Sequence, residues 1–177
     1  MKRILIPTDF SSNAGDALAY ALDFVKDRAV ELHIINVVGA DTMPAEVPAA
    51  AAEMARVNVA NAQESMKALE AMAAITDKPN VTLSTNVIVG VASSAIRQEA
   101  EKINADAIIM GTRGQGHDTM DKLLGTVSSS VLNDAPCPII LIPRGYRFRL
   151  IDNIIFSTNL NHGDPYELWR ATELIKP

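Results

Sequence analysis

A chain of 177 residues with 48% apolar side chains can bury a full core, and 16 basic against 21 acidic residues leave it a net charge of −5. Its basic residues form no cluster beyond the scattered Arg144, Arg147 and Arg149, which argues against nucleic acid as a partner, and no stretch approaches the length of a membrane span. The single cysteine, Cys137 between Pro136 and Pro138, excludes an intrachain disulfide and fits a reducing cytoplasm.

Arg3 to Thr8 is almost continuously apolar, as a strand covered on both faces must be. The run is too short for a signal peptide, because Pro7 and Asp9 end it. Ser11 or Ser12 caps the next helix, whose stripe is Ala14, Ala17, Leu18, Ala21, Leu22 and Val25. Glu31 to Val38 reads as strand two, with His33 packing in the core, and Gly39 closes it. A loop with Pro44 and Pro48 leads into an Ala-rich helix with the stripe Ala55, Val59, Ala62, Met66, Leu69 and Ala73. Arg56, Gln63, Lys67 and Glu70 fall on its other side. Asp77-Lys78-Pro79-Asn80 is a turn, Val81 to Val89 is strand three, and a helix follows through Ala95, Ile96, Ala100 and Ile103. Ala107 to Met110 is strand four, Val127 to Asn133 a helix, and Pro138 to Ile142 strand five.

Strands alternating with helices predict an α/β fold of three layers, a five-stranded parallel sheet with helices on both faces. The crevice of such a sheet opens at the carboxyl ends of its strands, here Asp9, Val38 and Gly111. Met110-Gly111-Thr112-Arg113-Gly114-Gln115-Gly116 stands where strand four hands over to a helix, and Gly125-Thr126-Val127-Ser128 follows. Glycines admit backbone N–H groups close to an anion, and a helix N-terminus adds unpaired donors, so this junction can hold a phosphate. His117 and His162 lack ligand-like spacing with other donors, and no metal site is expected.

After the connector Arg144 to Leu150 the pattern starts again. Shifting the numbering by 150 sets Ile4 on Ile154, Thr8 on Thr158, Asp9 on Asn159, Leu18 on Leu168, Ala21 on Ala171, Val25 on Ile175 and Lys26 on Lys176. Residues 151–177 thus read as the first strand and helix of a second, incomplete repeat. Because such a unit cannot bury a core alone, it packs on the first domain, exchanges with a partner chain, or belongs to a longer tandem protein.

Several spaced blocks resemble the universal stress protein family over residues 1–143. They are Ile4-Leu5-Ile6-Pro7-Thr8-Asp9-Phe10-Ser11, Leu32 to Val38, Ala105 to Gly114, and Leu124 to Leu132 running into Ala135-Pro136-Cys137-Pro138. The resemblance implies a Rossmann-like, adenine nucleotide alpha hydrolase-like domain at 1–143, a connector at 144–150, and a strand-helix extension at 151–177. The family's ATP-binding branch carries G-x2-G-x9-G-[ST]. Gly111, Gly114, Gly125 and Thr126 match it, except that ten residues separate Gly114 from Gly125. That insert carries His117, Asp118 and Asp121, and its extra residue either bulges at the loop tip or displaces Gly125.

Carried over, the resemblance implies that Pro7, Thr8 and Asp9 line the adenine and ribose end, with Val37 beside the base. Met110, Gly111, Arg113, Gly114, Gly125, Thr126, Val127 and Ser128 then complete the site around the phosphates of ATP, with or without Mg2+. The implied protein is a cytoplasmic stress-response module that binds an adenine nucleotide as a regulatory ligand. The alternatives are a slow ATPase on the same site and a nucleotide-free dimeric interaction module. No general base, nucleophile pair or arginine finger is visible, so any hydrolysis is expected to be slow. A homodimer is expected, through the strand at 138–142 and the 151–177 tail.

Overall fold

The apolar run at the start of the chain becomes the central strand of the sheet. In the computed structural model, which describes residues 2–25, 28–39, 49–74, 79–113, 124–158, 160 and 162–175, the elements alternate as expected. They are β1 (Arg3–Thr8), α1 (Ser12–Phe24), β2 (Val30–Gly39), α2 (Ala49–Ala74), β3 (Val81–Gly90), α3 (Ala92–Lys102), β4 (Ala107–Gly111), α4 (Thr126–Asn133), β5 (Ile139–Ile142) and α5 (Asp164–Ile175). The five strands lie in the order β3-β2-β1-β4-β5 and every pairing is parallel. The chain therefore steps outward from β1 to β3 and then returns to the other side of β1. That reversal lies between β1 and β4.

Alternate residues of the strands serve two cores. Ile4, Ile6, Leu32 and Ile34 pack with Ala17, Tyr20, Ala21 and Phe24 of α1 and Met66 of α2. Leu5, Ile35, Ile108 and Met110 pack with Ile96 and Ala100 of α3 and Val131 of α4. Ile4, Leu5 and Ile6 are fully buried, and each contributes about 1.5–3 kcal/mol. The α2 stripe buries Ala62 and Met66, with Ala55, Val59 and Leu69 partly covered, while the Ala73 side chain lies outside the described ones. The proline-bearing loop at 40–48 also lies outside the described residues.

Glu70, on the side of α2 away from the apolar stripe, is half-buried, and its carboxylate accepts a hydrogen bond from the Thr85 hydroxyl at 2.5 Å. His33 is no core residue. Its Nδ1 lies 2.7 Å from Ser84 Oγ and its Nε2 3.6 Å from Glu31 Oε2, and both of these neighbours are exposed. Cys137 sits just before β5, where burial pushes its thiol up to about 11, as suits a small packing residue.

The turn after β1 is set by its own side chains. Phe10 takes a left-handed φ of 59°, Thr8 Oγ1 accepts the Phe10 N–H at 3.0 Å, and Asp9 Oδ1 accepts the Ser11 N–H at 3.0 Å. Ser11 is the cap of α1, accepting the Ala14 N–H at 3.2 Å.

The C-terminal segment keeps half of its expected form. Leu160 has φ 61° and donates its N–H to Thr158 Oγ1 at 2.8 Å, and α5 follows. These positions correspond to Phe10 and Thr8 under the shift of 150. The expected strand does not form: residues 151–158 join no ladder and are exposed, because an extended segment becomes a strand only against a neighbouring strand. The connector is no free linker. Gly145 N–H donates to Asp16 Oδ2 at 2.6 Å, and Arg147 pairs with the same carboxylate. The Phe148 ring stands edge-on to Tyr20 and Phe24 of α1, with centroids 5.4 and 5.8 Å away. The end of α5 is tied to the same side by Arg28, which donates to the Leu174 carbonyl at 3.0 Å.

Candidate functional site

The reversal between β1 and β4 opens a crevice at the carboxyl ends of the strands. Pro7, Thr8 and Asp9 line it from the exit of β1, and Met110, Gly111 and Arg113 from β4. Gly125, Thr126, Val127 and Ser128 come from the start of α4, and Val37 from β2. Eleven residues expected from the sequence thus meet in one place, and Gly114 lies outside the described residues, as do Gln115, Gly116, His117, Asp118 and Asp121. Ala14, Ile35, Ala92 and Ile96 also line the crevice; from the sequence Ala14, Ile35 and Ile96 read only as packing residues, and Ala92 is not singled out. Their signal was available in the positions of Ile35, near the end of a strand, and Ala92, at the start of a helix.

The crevice has an apolar part and a polar part. Ile35, Val37, Ala92, Ile96 and Met110 make a surface suited to a flat apolar ring. At the start of α4 the cap is Gly125, which brings no side-chain acceptor. The first helical bond runs from Ser129 N–H to Gly125 O at 3.0 Å, so the amides of Thr126, Val127 and Ser128 have no acceptor within the helix. The helix dipole adds to this a favourable place for negative charge. Asp9 is the one carboxylate and Arg113 the one cation among the described lining residues. Among the described residues no three His, Cys, Asp or Glu side chains gather to hold a metal ion.

The structure gives Gly111 a reason other than contact with a ligand. A Cβ there would stand 2.8 Å from Asn13 Cγ and 3.1 Å from the Asn13 carbonyl oxygen, so the first turn of α1 already occupies that space. Two amides of the loop are also engaged within the protein. Arg113 N–H donates to Asn13 Oδ1 at 2.9 Å, and Gly125 N–H donates to Thr112 O at 2.8 Å. Ser128 Oγ donates to Gly111 O at 3.1 Å, joining α4 to β4. Across the crevice, Asn36 Nδ2 donates to Thr8 O at 2.8 Å and fixes the end of β1. Asn13 and Asn36 are both buried, and sequence reasoning missed both.

The same architecture recurs in known proteins. The universal stress protein UspA of Lactobacillus plantarum superposes with a TM-score of 0.69 at 26% identity, covering 80% of this chain and 97% of that one. A universal stress protein of Archaeoglobus fulgidus solved in complex with dAMP gives a TM-score of 0.52 at 18% identity, covering 80% and 98%. In sequence, a universal stress protein of Methanocaldococcus jannaschii is 31% identical over 144 residues, 81% of this chain and 82% of the relative. The family model described as the universal stress protein family matches residues 1–143, the span that holds all five strands and the crevice between them. With that match, the chain belongs to the universal stress protein family.

Proposed function

We propose that this chain is a cytoplasmic stress-response protein that binds ATP, with or without Mg2+, or a related adenine nucleotide, as a regulatory ligand. The observation that carries the reading is the pairing of an apolar slot with an open helix N-terminus in one crevice. The base lies against Val37, Ile96 and Met110, the ribose hydroxyls face Asp9, and the phosphates meet the amides at the start of α4. Gly114 joins the phosphate side through the family pattern. The dAMP-bound relative supports the fold alone, so the reading rests on the crevice itself.

Equilibrium dialysis with labelled ATP tests it, with saturable binding as the expected outcome. Absence of saturable binding at millimolar nucleotide overturns it and leaves the interaction-module reading. Thr126→Pro removes one amide donor at a position where proline suits the helix, and the extended Gly125 before it (φ −70°, ψ 164°) tolerates a following proline. The variant should bind ATP about tenfold more weakly, the scale of one charge-assisted hydrogen bond. Multiple turnover at an ordinary enzymatic rate would instead favour an ATPase.

We also infer a homodimer, supported by β5, which pairs with β4 on one side and is the last strand of the sheet on the other. Ile151 and Ile154 of the tail border a groove with Ile139, Ile140 and Leu141 of β5, so both regions contribute to that face. Sedimentation at micromolar concentration should give a dimer, and a monomer overturns the inference. Residues 151–177 are read as a second copy of the β1-turn-α1 unit, on the strength of the matching turns at Phe10 and Leu160.

A further inference from the structure

Asn13 is 4% exposed and does not line the crevice, yet its side chain reaches the exits of two strands. Nδ2 donates to the Ile142 carbonyl at the end of β5 at 3.0 Å. Oδ1 accepts the Arg113 N–H at 2.9 Å and lies 3.4 Å from the Thr112 hydroxyl, just beyond β4. The next links run into the crevice, from Thr112 O to the Gly125 amide and from Gly111 O to the Ser128 hydroxyl.

We infer that Asn13 is a positioning residue for the phosphate end of the crevice, holding the exit of β4 and, through it, the first turn of α4. A primary amide suits this task because it donates and accepts at once. A carboxylate at this place could not donate to Ile142 O, and an apolar side chain would take from the Arg113 amide its acceptor and leave the Ile142 carbonyl with the Thr112 N–H at 3.1 Å. The Arg113 amide is thereby committed to α1, so Arg113 acts in the crevice through its side chain. The inference rests on the nucleotide reading for its functional half and stands apart from it for its structural half.

The experiment compares the unchanged chain with Asn13→Ala and with Ile109→Val, a core change on the opposite face of β4 from Met110. Affinities for ATP and adenosine are measured on each, together with hydrogen exchange at the Arg113 amide without ligand. Asn13→Ala should weaken ATP about tenfold while adenosine changes less than about twofold, and Ile109→Val should alter neither. The Arg113 amide should exchange slowly in the unchanged chain and in Ile109→Val, and fast in Asn13→Ala. Equal loss of ATP and adenosine, or no loss of either, overturns the positioning role. If the unchanged chain binds no nucleotide, the nucleotide reading fails by itself, and unaltered protection at Arg113 in Asn13→Ala then overturns the structural half. If Asn13→Ala does not fold, Asn13→Ser carries the same comparison, with the same outcomes deciding.

Discussion

The unit β1-turn-α1 and the segment 151–175 share a turn and a helix but not a strand. Phe10 and Leu160 have nearly the same φ, 59° and 61°, and in each turn a threonine two residues earlier accepts the amide. Burial separates the two. Ile4 and Leu5 are fully buried, whereas Ile154 and Ile155 are 47% and 97% exposed, and α5 has no buried residue. Turns and helix starts are made by hydrogen bonds a few residues apart, so the local sequence produces them wherever it occurs. A strand is made by its neighbours. β1 has β2 and β4 beside it and helices on both faces, and the second segment has no such company.

The sharpest way to break this comparison is to truncate the apolar side chains at the matching positions 5 and 155. Leu5→Ala should cost about 2–5 kcal/mol in urea unfolding, as expected where a fully buried leucine leaves a cavity. Ile155→Ala should fall within about 0.5 kcal/mol of the unchanged chain, as exposed substitutions do. A comparable loss at both positions would mean that 151–158 is covered in solution, and concentration dependence of the Ile155→Ala effect would show that a second chain covers it.

That contrast also shows what the sequence could carry. Period and burial of the five strands follow from apolar runs, and the crevice follows from where the connections reverse, so the place of the crevice was legible. Its internal logic was not. Gly111 reads as a phosphate glycine until Asn13, far away in the chain, is found against it, and Asn13 itself reads as one more polar residue after the Ser11 cap. Distance in sequence hides such pairs, because neither residue's local pattern requires the other. The same limit hid the docking of Tyr146 and Phe148 on α1 and the hydrogen bond that draws Glu70 inward. The tail strand failed for the opposite reason: its local pattern was complete and its partners were missing.

A smaller effect tests what anchors the connector between β5 and the segment 151–175. Asp16 on α1 receives the Arg147 guanidinium and the Gly145 amide, and these, in that order, hold its carboxyl below the usual value of 3.8. A carboxyl whose folded value is depressed adds stability that is fully present above its unfolded value and disappears as pH falls through the folded one. Arg147 is largely solvent-exposed, so screening limits the contribution to about 1 kcal/mol or less. Asp16→Asn should therefore lower stability slightly at neutral pH, and the two chains should converge as the pH drops below 3.8. No difference between the two chains at neutral pH would locate the anchor in the aromatic contacts of Phe148 instead. Under the shift of 150 the matching residue is Tyr166, which is exposed and cannot take this ionic role, so the anchor has no counterpart at that position of the segment 151–175.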